Sequence, residues 1–210
     1  MNFNEITLLS ATFNKHDFTL QMLKSLYSIV GKNLPKIIIL DNSDKTFFPK
    51  IENPFISVLD NTNFKYTKNY RQPSMNHCAS IDYALRTIKT KYTLLCDNDI
   101  IFKKNFLDFF NDFESYDLIG EIGYDRVPPA RLYPYICLIN NQFVSSKRIH
   151  YFDENRCMIK NATMDTGCSF YNDCVLNNAK IKKLRISDYI VHLKGGTLRN
   201  KSIDLLKKTY

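Results

Sequence analysis

Apolar residues fall in short runs separated by stretches of helical spacing. The run at 92–96 (YTLLC) is too short for most helices and reads as a buried strand. It ends in Asp97, Asn98 and Asp99 before apolar residues resume at Ile100, Ile101 and Phe102. Upstream, 6–10 (ITLLS) reads as a first strand with a polar exit through Thr12, Phe13 and Asn14. Asp17 is placed to cap a helix carrying Leu20, Leu23, Leu26 or Tyr27, and Val30, with Gly31 as its stop. A β-branched run at 36–40 (KIIIL) ends at Asp41, and a third strand at 55–59 (FISVL) ends at Asp60. Ser74 is a cap for a helix over 75–89, with Cys78, Ile81, Leu85 and Ile88 as its buried stripe.

The second half is less regular. A helix with Phe102, Phe106, Phe109 and Phe113 on one side is expected after Asp99. Between 120 and 162 the pattern breaks up around Pro128, Pro129 and Pro134, with a strand expected at 135–144. Asn172 caps a short helix over 173–179, 190–193 reads as a last strand carrying His192, and 202–208 suits a basic helix.

Alternation of strand and helix predicts an α/β fold with a mostly parallel central sheet and helices on both faces. Asp41, Asp60 and Asp97 then stand at the carboxyl ends of strands, the edge where open α/β sheets bind ligands. Carboxylates at i and i+2 of an extended segment project to one side. Asp97 and Asp99 therefore suit a hard divalent cation, Mn²⁺ or Mg²⁺, although Asp and Asn are also ordinary turn residues. Gly195 and Gly196 would let backbone N–H groups approach phosphate, with Lys194, Arg199 or Lys201 adding charge.

Composition narrows this further. The 210 residues suit a single domain, 1–210, and 44% hydrophobic content is enough for a real core. No apolar run approaches the roughly 18–20 residues of a membrane span, and 1–9 (MNFNEITLL) lacks a signal-peptide pattern. A cytoplasmic location is expected, the host cytoplasm if the source is viral. Six cysteines without a C-x-x-C pair are expected to be reduced thiols rather than disulfides or zinc ligands. The net charge of +8 is spread out, with clusters at 180–185 and 199–208 that lack interleaved aromatics. Nucleic acid is therefore not the expected partner. A phosphorylated substrate fits, as does peripheral contact of the basic C-terminus with an anionic membrane.

The segments ITLLSATFN, IIILDNSD, NHCASIDYAL and YTLLCDNDIIF, in that order, resemble a family 2 glycosyltransferase with the GT-A fold. MDTGCSFY and VHLKGGT resemble its later segments more loosely. The resemblance implies a nucleotide-binding half over 1–102 and an acceptor-binding half with the C-terminal segment over 103–210. It implies a metal-dependent hexosyltransferase that moves a sugar from a nucleotide-sugar donor to a glycan, lipid-linked or protein hydroxyl, with inversion. By that resemblance Thr12, Phe13, Asn76 and His77 lie near the nucleotide, and Asp41 accepts a hydrogen bond from its base, which favours UDP. Asp97 faces the ribose or the metal's water shell, Asp99 ligates the metal, and His192 completes its site. Asp165 is placed as general base, with Glu121, Asp125 and Asp153 as competitors for that role.

Rival readings are weaker. A sugar nucleotidyltransferase needs a glycine-rich phosphate loop after the first strand, and ATFNKHD has no glycine. A metal-dependent nuclease wants more clustered acids. A non-catalytic GT-A-like module binding carbohydrate or nucleic acid would have no need of Asp97 and Asp99. The Q-x-x-R-W motif of processive members is absent, and the chain has no Trp.

Overall fold

The computed structural model describes residues 3–43, 48–60, 73–123, 130–152, 158–159, 162–163 and 167–193. In chain order these form β1 (Ile6–Thr12), α1 (His16–Val30), β2 (Lys36–Asp41), β3 (Ile56–Asp60), α2 (Pro73–Thr87), β4 (Tyr92–Asp97) and β5 (Ile100–Phe102). They continue as β6 (Leu118–Gly123), β7 (Arg131–Asn140), α3 (Asn141–Ser146), β8 (Met158–Ile159), β9 (Ala162–Thr163), α4 (Cys168–Leu176), β10 (Ile181–Lys183) and β11 (Ile190–His192).

Seven strands make the central sheet in the order β10-β6-β7-β4-β1-β2-β3. β7 runs antiparallel to both β4 and β6, and the other pairings are parallel. The sheet is mostly parallel, as the strand–helix alternation predicts. β1 is buried along its whole length, which is why its apolar residues fall on both faces rather than alternating with exposed polar ones.

Side-chain alternation sends the strand residues into two cores. Ile6, Leu8, Ile37, Ile39, Leu94 and Cys96 meet Met22 and Leu26 of α1 together with Phe102, Phe106 and Phe109. Leu9, Ala11, Ile38, Leu40, Leu95 and Cys137 meet Cys78, Ile81 and Ala84 of α2 together with Phe170 and Cys174 of α4. Each fully buried Leu, Ile or Phe contributes about 1.5–3 kcal/mol, so both faces anchor the sheet. The described cysteines are buried thiols, and burial pushes those of Cys96, Cys137 and Cys174 up in pKa. They act as packing groups rather than nucleophiles.

Several expected elements differ. The helix predicted through the phenylalanines is instead β5 followed by two 3₁₀ turns, Phe106–Phe110 and Phe113–Ser115. Phe102 is already committed to pairing with Ile190 of β11, and Asp112 adopts a left-handed φ of 58° that ends any helix. The strand expected over 135–144 runs from Arg131 to Asn140. Asn140 then caps α3 by accepting hydrogen bonds from Gln142 and Phe143 backbone N–H groups. Asn172 is not a cap but lies inside α4, which begins after Gly167 at φ 85°. Gly167 packs so closely that a Cβ would lie 2.6 Å from the Leu132 carbonyl oxygen. At α1 no side chain caps the N-terminus, whereas Gly31 closes its C-terminus at φ 60°. Pro73 opens α2, using the first-turn position that tolerates a missing N–H.

Among the described residues no helix is long and apolar enough to cross a membrane.

Candidate active site

β1 occupies the middle of the parallel strands, and the strands on either side of it end in Asp. In the sheet register Thr12 lies beside Asp41, and Ala11 lies beside Asp97. β4 stops at Asp97 and β5 starts at Ile100, so Asn98 and Asp99 form the bend between two sheets. Asn98 is buried, and its Nδ2 donates to Thr12 Oγ1 (3.2 Å) and Thr19 Oγ1 (3.1 Å). This ties the bend to β1 and to α1. Ser25 on α1 accepts a hydrogen bond from the Phe102 backbone N–H at 3.1 Å, fixing the far end of β5. The middle residue of D-x-D is therefore a structural pin that aims its two neighbours.

β11 pairs antiparallel with β5, placing His192 opposite Ile100. The Leu193 N–H donates to the Asp99 carbonyl oxygen at 2.8 Å, which closes the strand pair beside the bend. As a result one oxygen of Asp97, one of Asp99 and one nitrogen of His192 lie within 4.8 Å of one another. His192 Nε2 is 3.3 Å from Asp99 Oδ1. Burial alone would lower the His192 pKa, but the hydrogen bond and charge of Asp99, with Asp97 beyond, outweigh it and hold it above the usual value. Two carboxylates at 4.8 Å repel by at least about 3 kcal/mol at an effective dielectric of 20, so the cluster favours a cation. Two carboxylates and an imidazole suit Mn²⁺, and Mg²⁺ less closely because of the nitrogen donor.

His77 of α2 brings Nε2 to 3.8 Å from Asp97 Oδ1, on the helix expected to approach the nucleotide. Tyr135 of β7 stacks on the His192 ring with centroids 4.0 Å apart, and Tyr133 stacks on Tyr135 at 5.2 Å. The guanidinium of Arg131 lies over Tyr133 at 4.7 Å. These residues occupy alternate positions of one strand, so they share one face and form a column ending at His192. Gly123 makes room for it, since a Cβ there would meet the Tyr133 hydroxyl. A cavity of about 210 Å³ opens beside the column, lined by Tyr135, His192, Glu121 and Arg185 among others. Glu121 accepts a hydrogen bond from the Ile186 backbone N–H at 2.9 Å and so shapes the cavity wall.

Around Asp41 the arrangement is different. Its Oδ1 accepts from the Ser43 backbone N–H (3.1 Å) and the Ser43 hydroxyl (2.5 Å), and Oδ2 accepts from the Phe48 N–H (2.7 Å). His16 Nε2 lies 3.5 Å from Oδ1 and 2.9 Å from Ser43 Oγ. Thr12 is buried, while Phe13 is 53% exposed at the same edge.

The sequence-predicted residues thus fall into three sets. Asp97, Asp99 and His192 come together, with His77 next to them. Thr12, Phe13 and Asp41 stand one or two strands away on the same edge. Asn76 lies on α2, but its side chain is outside the described part, as are Asp165, Gly195, Gly196 and Lys201 altogether, and Asp125 and Asp153 among the competitors. Sequence reasoning missed Tyr135, Ser43 and His16. The alternation Arg131, Tyr133, Tyr135 is a one-face signal that could have exposed the column.

No protein-family model matches the chain, and no curated protein sequence matches it. Solved structures do. One is a 1–349 fragment of S. aureus TarS, with TM-score 0.54 and 15% identity over 88% of this chain and 59% of that one. Another is the mannosyltransferase PcManGT from Pyrobaculum calidifontis in complex with GDP-Man and Mn²⁺, with TM-score 0.55 and 8% identity over 86% and 54%. A third is the catalytic domain of Drosophila β1,4-galactosyltransferase 7 in complex with xylobiose, with TM-score 0.57 and 10% identity over 94% and 74%. This chain spans a little over half the length of the TarS fragment and of PcManGT. With its mostly parallel sheet, reversed β7 and second small sheet carrying the D-x-D bend, the chain has the GT-A fold that these glycosyltransferases share.

Proposed function

We propose that the protein is a metal-dependent glycosyltransferase that moves a sugar from a nucleoside-diphosphate sugar to an acceptor hydroxyl. The observation that carries this reading is the convergence of Asp97, Asp99 and His192 at the carboxyl edge of a GT-A sheet. Asp97 at the end of β4, Asp99 in the bend before β5 and His192 in β11 would hold Mn²⁺ or Mg²⁺ there. When bound, the cation supplies Lewis-acid neutralisation of the charge that develops on a departing diphosphate.

The chain's own groups supply the rest. Asn98 and the Leu193 N–H keep the bend rigid, so the carboxylates need no reorganisation as charge develops. His77 stands beside Asp97, where a protonated imidazole would add positive charge toward the diphosphate. Phe13, exposed at the end of β1, offers a ring face to the nucleotide. The cavity beside His192 suits the acceptor, since an attacking hydroxyl must arrive close to the leaving diphosphate. Attack with inversion requires a carboxylate to take the hydroxyl proton. Asp165 is the choice that the resemblance makes for that base, and Gly167, two residues on, packs against Leu132 of β7 near this edge.

The acceptor class is a glycan, lipid-linked or protein hydroxyl. A uridine donor is favoured by the resemblance at Asp41. The hydrogen bonds that carboxylate already makes are the reason to test every base. Calorimetric titration of UDP, GDP, dTDP and CDP, with and without Mn²⁺, is the direct test. The reading expects Mn²⁺-dependent binding of at least one of them, lost in Asp99→Ala. A folded protein that binds none of them under either condition sinks it.

A further inference from the structure

We infer that Asp41 is a positioning residue that ties the exits of β1 and β2 into one nucleotide platform, and that it does not itself read the base. This rests on the glycosyltransferase reading above. A carboxylate has about four lone-pair sites. Three of those of Asp41 are taken by the Ser43 N–H, the Ser43 hydroxyl and the Phe48 N–H, and the His16 imidazole stands at 3.5 Å. The residue is 2% exposed, so a base has no path to the remaining site without displacing these donors.

Ser43 extends the network. Its hydroxyl gives its proton to Asp41, so its oxygen accepts from the Asn14 backbone N–H and from His16 Nε2–H, each at 2.9 Å. One donated and two accepted bonds saturate a hydroxyl. This assigns the Nε2–H form to His16 through the network. Phe48 packs edge-on against the His16 ring at 5.0 Å. The neighbouring Asn42 adds two further ties, its N–H to the Thr12 carbonyl (2.9 Å) and its Nδ2 to Ser80 Oγ on α2 (3.1 Å). One buried carboxylate thus fixes Ser43 and Phe48 after β2 and, through Ser43, Asn14 and His16 after β1, while the neighbouring Asn42 separately ties this turn to β1 and α2.

Base contact then falls to what this hub presents, foremost the exposed ring of Phe13. Stacking on an aromatic face tolerates every base. The donor base is accordingly set by shape and backbone around the platform rather than by one carboxylate.

The test uses Asp41→Asn and Ser43→Ala, each titrated with the four nucleoside diphosphates in the presence of Mn²⁺. Both variants are expected to weaken every nucleotide the wild type binds by a common factor, about tenfold. Their ratio of affinities among bases stays at the wild-type value, and the double variant is no worse than the weaker single. Selective loss or switch of one base in Asp41→Asn, with Ser43→Ala binding as the wild type does, overturns the inference.

Amide hydrogen exchange provides a readout that needs no nucleotide. The Ser43 and Phe48 amides should exchange slowly in the wild type and at least about tenfold faster in Asp41→Asn, with β4 amides unchanged. Fast exchange at Phe48 in the wild type, or no change in the variant, overturns the inference even where nucleotides bind. A wild type that binds no nucleotide while both amides are protected overturns the transferase reading and, with it, the platform role. That result is distinct from the others because the hub itself would still be seen.

Discussion

Asp41 and Asp97 are a near-symmetric pair: each ends a strand adjacent to β1, one on either side of it. Their surroundings differ in sign. Asp41 is met by three N–H and O–H donors from Ser43 and Phe48, which take most of its acceptor capacity. Asp97 is met by a second carboxylate and two imidazoles, His77 and His192, an arrangement that a cation completes. The same side chain at the same kind of strand end can thus organise a loop or recruit a ligand, depending on whether its neighbours donate or repel. Thr12 stands between the two, bonded to Asn42 on one side and Asn98 on the other, so each site is built partly on the other's support.

The largest effect should come from removing the charge that the cation site is built on. Asp99→Ala should lower turnover about a thousandfold or more, equivalent to roughly 4 kcal/mol of transition-state stabilisation. Initial-rate assays with the donor identified by titration would measure it, with unfolding curves showing the fold retained. Turnover within tenfold of the wild type would break the comparison outright. His192→Ala removes a ligand and should weaken Mn²⁺ binding by at least about 100-fold, the upper end of what loss of a mere supporting partner costs. Electron paramagnetic resonance of free Mn²⁺ checks this directly, and unchanged affinity would remove His192 from the cation site.

A third variant addresses the shared support. Asn98→Ala leaves Thr12 and Thr19 hydroxyls without their donor and should cost about 1–3 kcal/mol in stability, read by urea unfolding. A cost below a few tenths would show that the bend holds itself.

Smaller effects sharpen the picture. Tyr135→Leu removes an aromatic stack worth about 0.5–1.5 kcal/mol and should weaken Mn²⁺ binding severalfold, while Tyr135→Phe keeps the ring and restores it. Equal loss in both variants would point to the hydroxyl instead. Least of all, Ser80→Ala removes one hydrogen bond from Asn42 and should cost about 1 kcal/mol or less in unfolding free energy.

Much of the fold was legible because its strands are local and strongly patterned. The runs at Ile6, Lys36 and Tyr92 read as strands since parallel strands buried on both faces carry apolar residues on both faces, without a polar alternation. Gly31 read as a helix stop because only glycine takes its φ without penalty. β6, β10 and α3 were not read. Their sequences are short, and their identity depends on partners distant in the chain, as when Asp117 accepts from the Lys180 backbone N–H to start β10 beside β6. The phenylalanines at 106, 109 and 113 fit a helical stripe equally well. Pairing of Phe102 with Ile190 decided otherwise.

By itself, the sequence determined the α/β order, the two-sided core and the presence of paired carboxylates after β4, because each is written in contiguous residues. Only the tertiary structure decided that His192, more than ninety residues away, faces Asp99 through the β5–β11 pairing, and that Asp41 is engaged by Ser43 and Phe48. Whether a carboxylate is answered by donors or by another carboxylate is set by which segments the fold brings within about 4 Å, and spacing along the chain does not encode that distance.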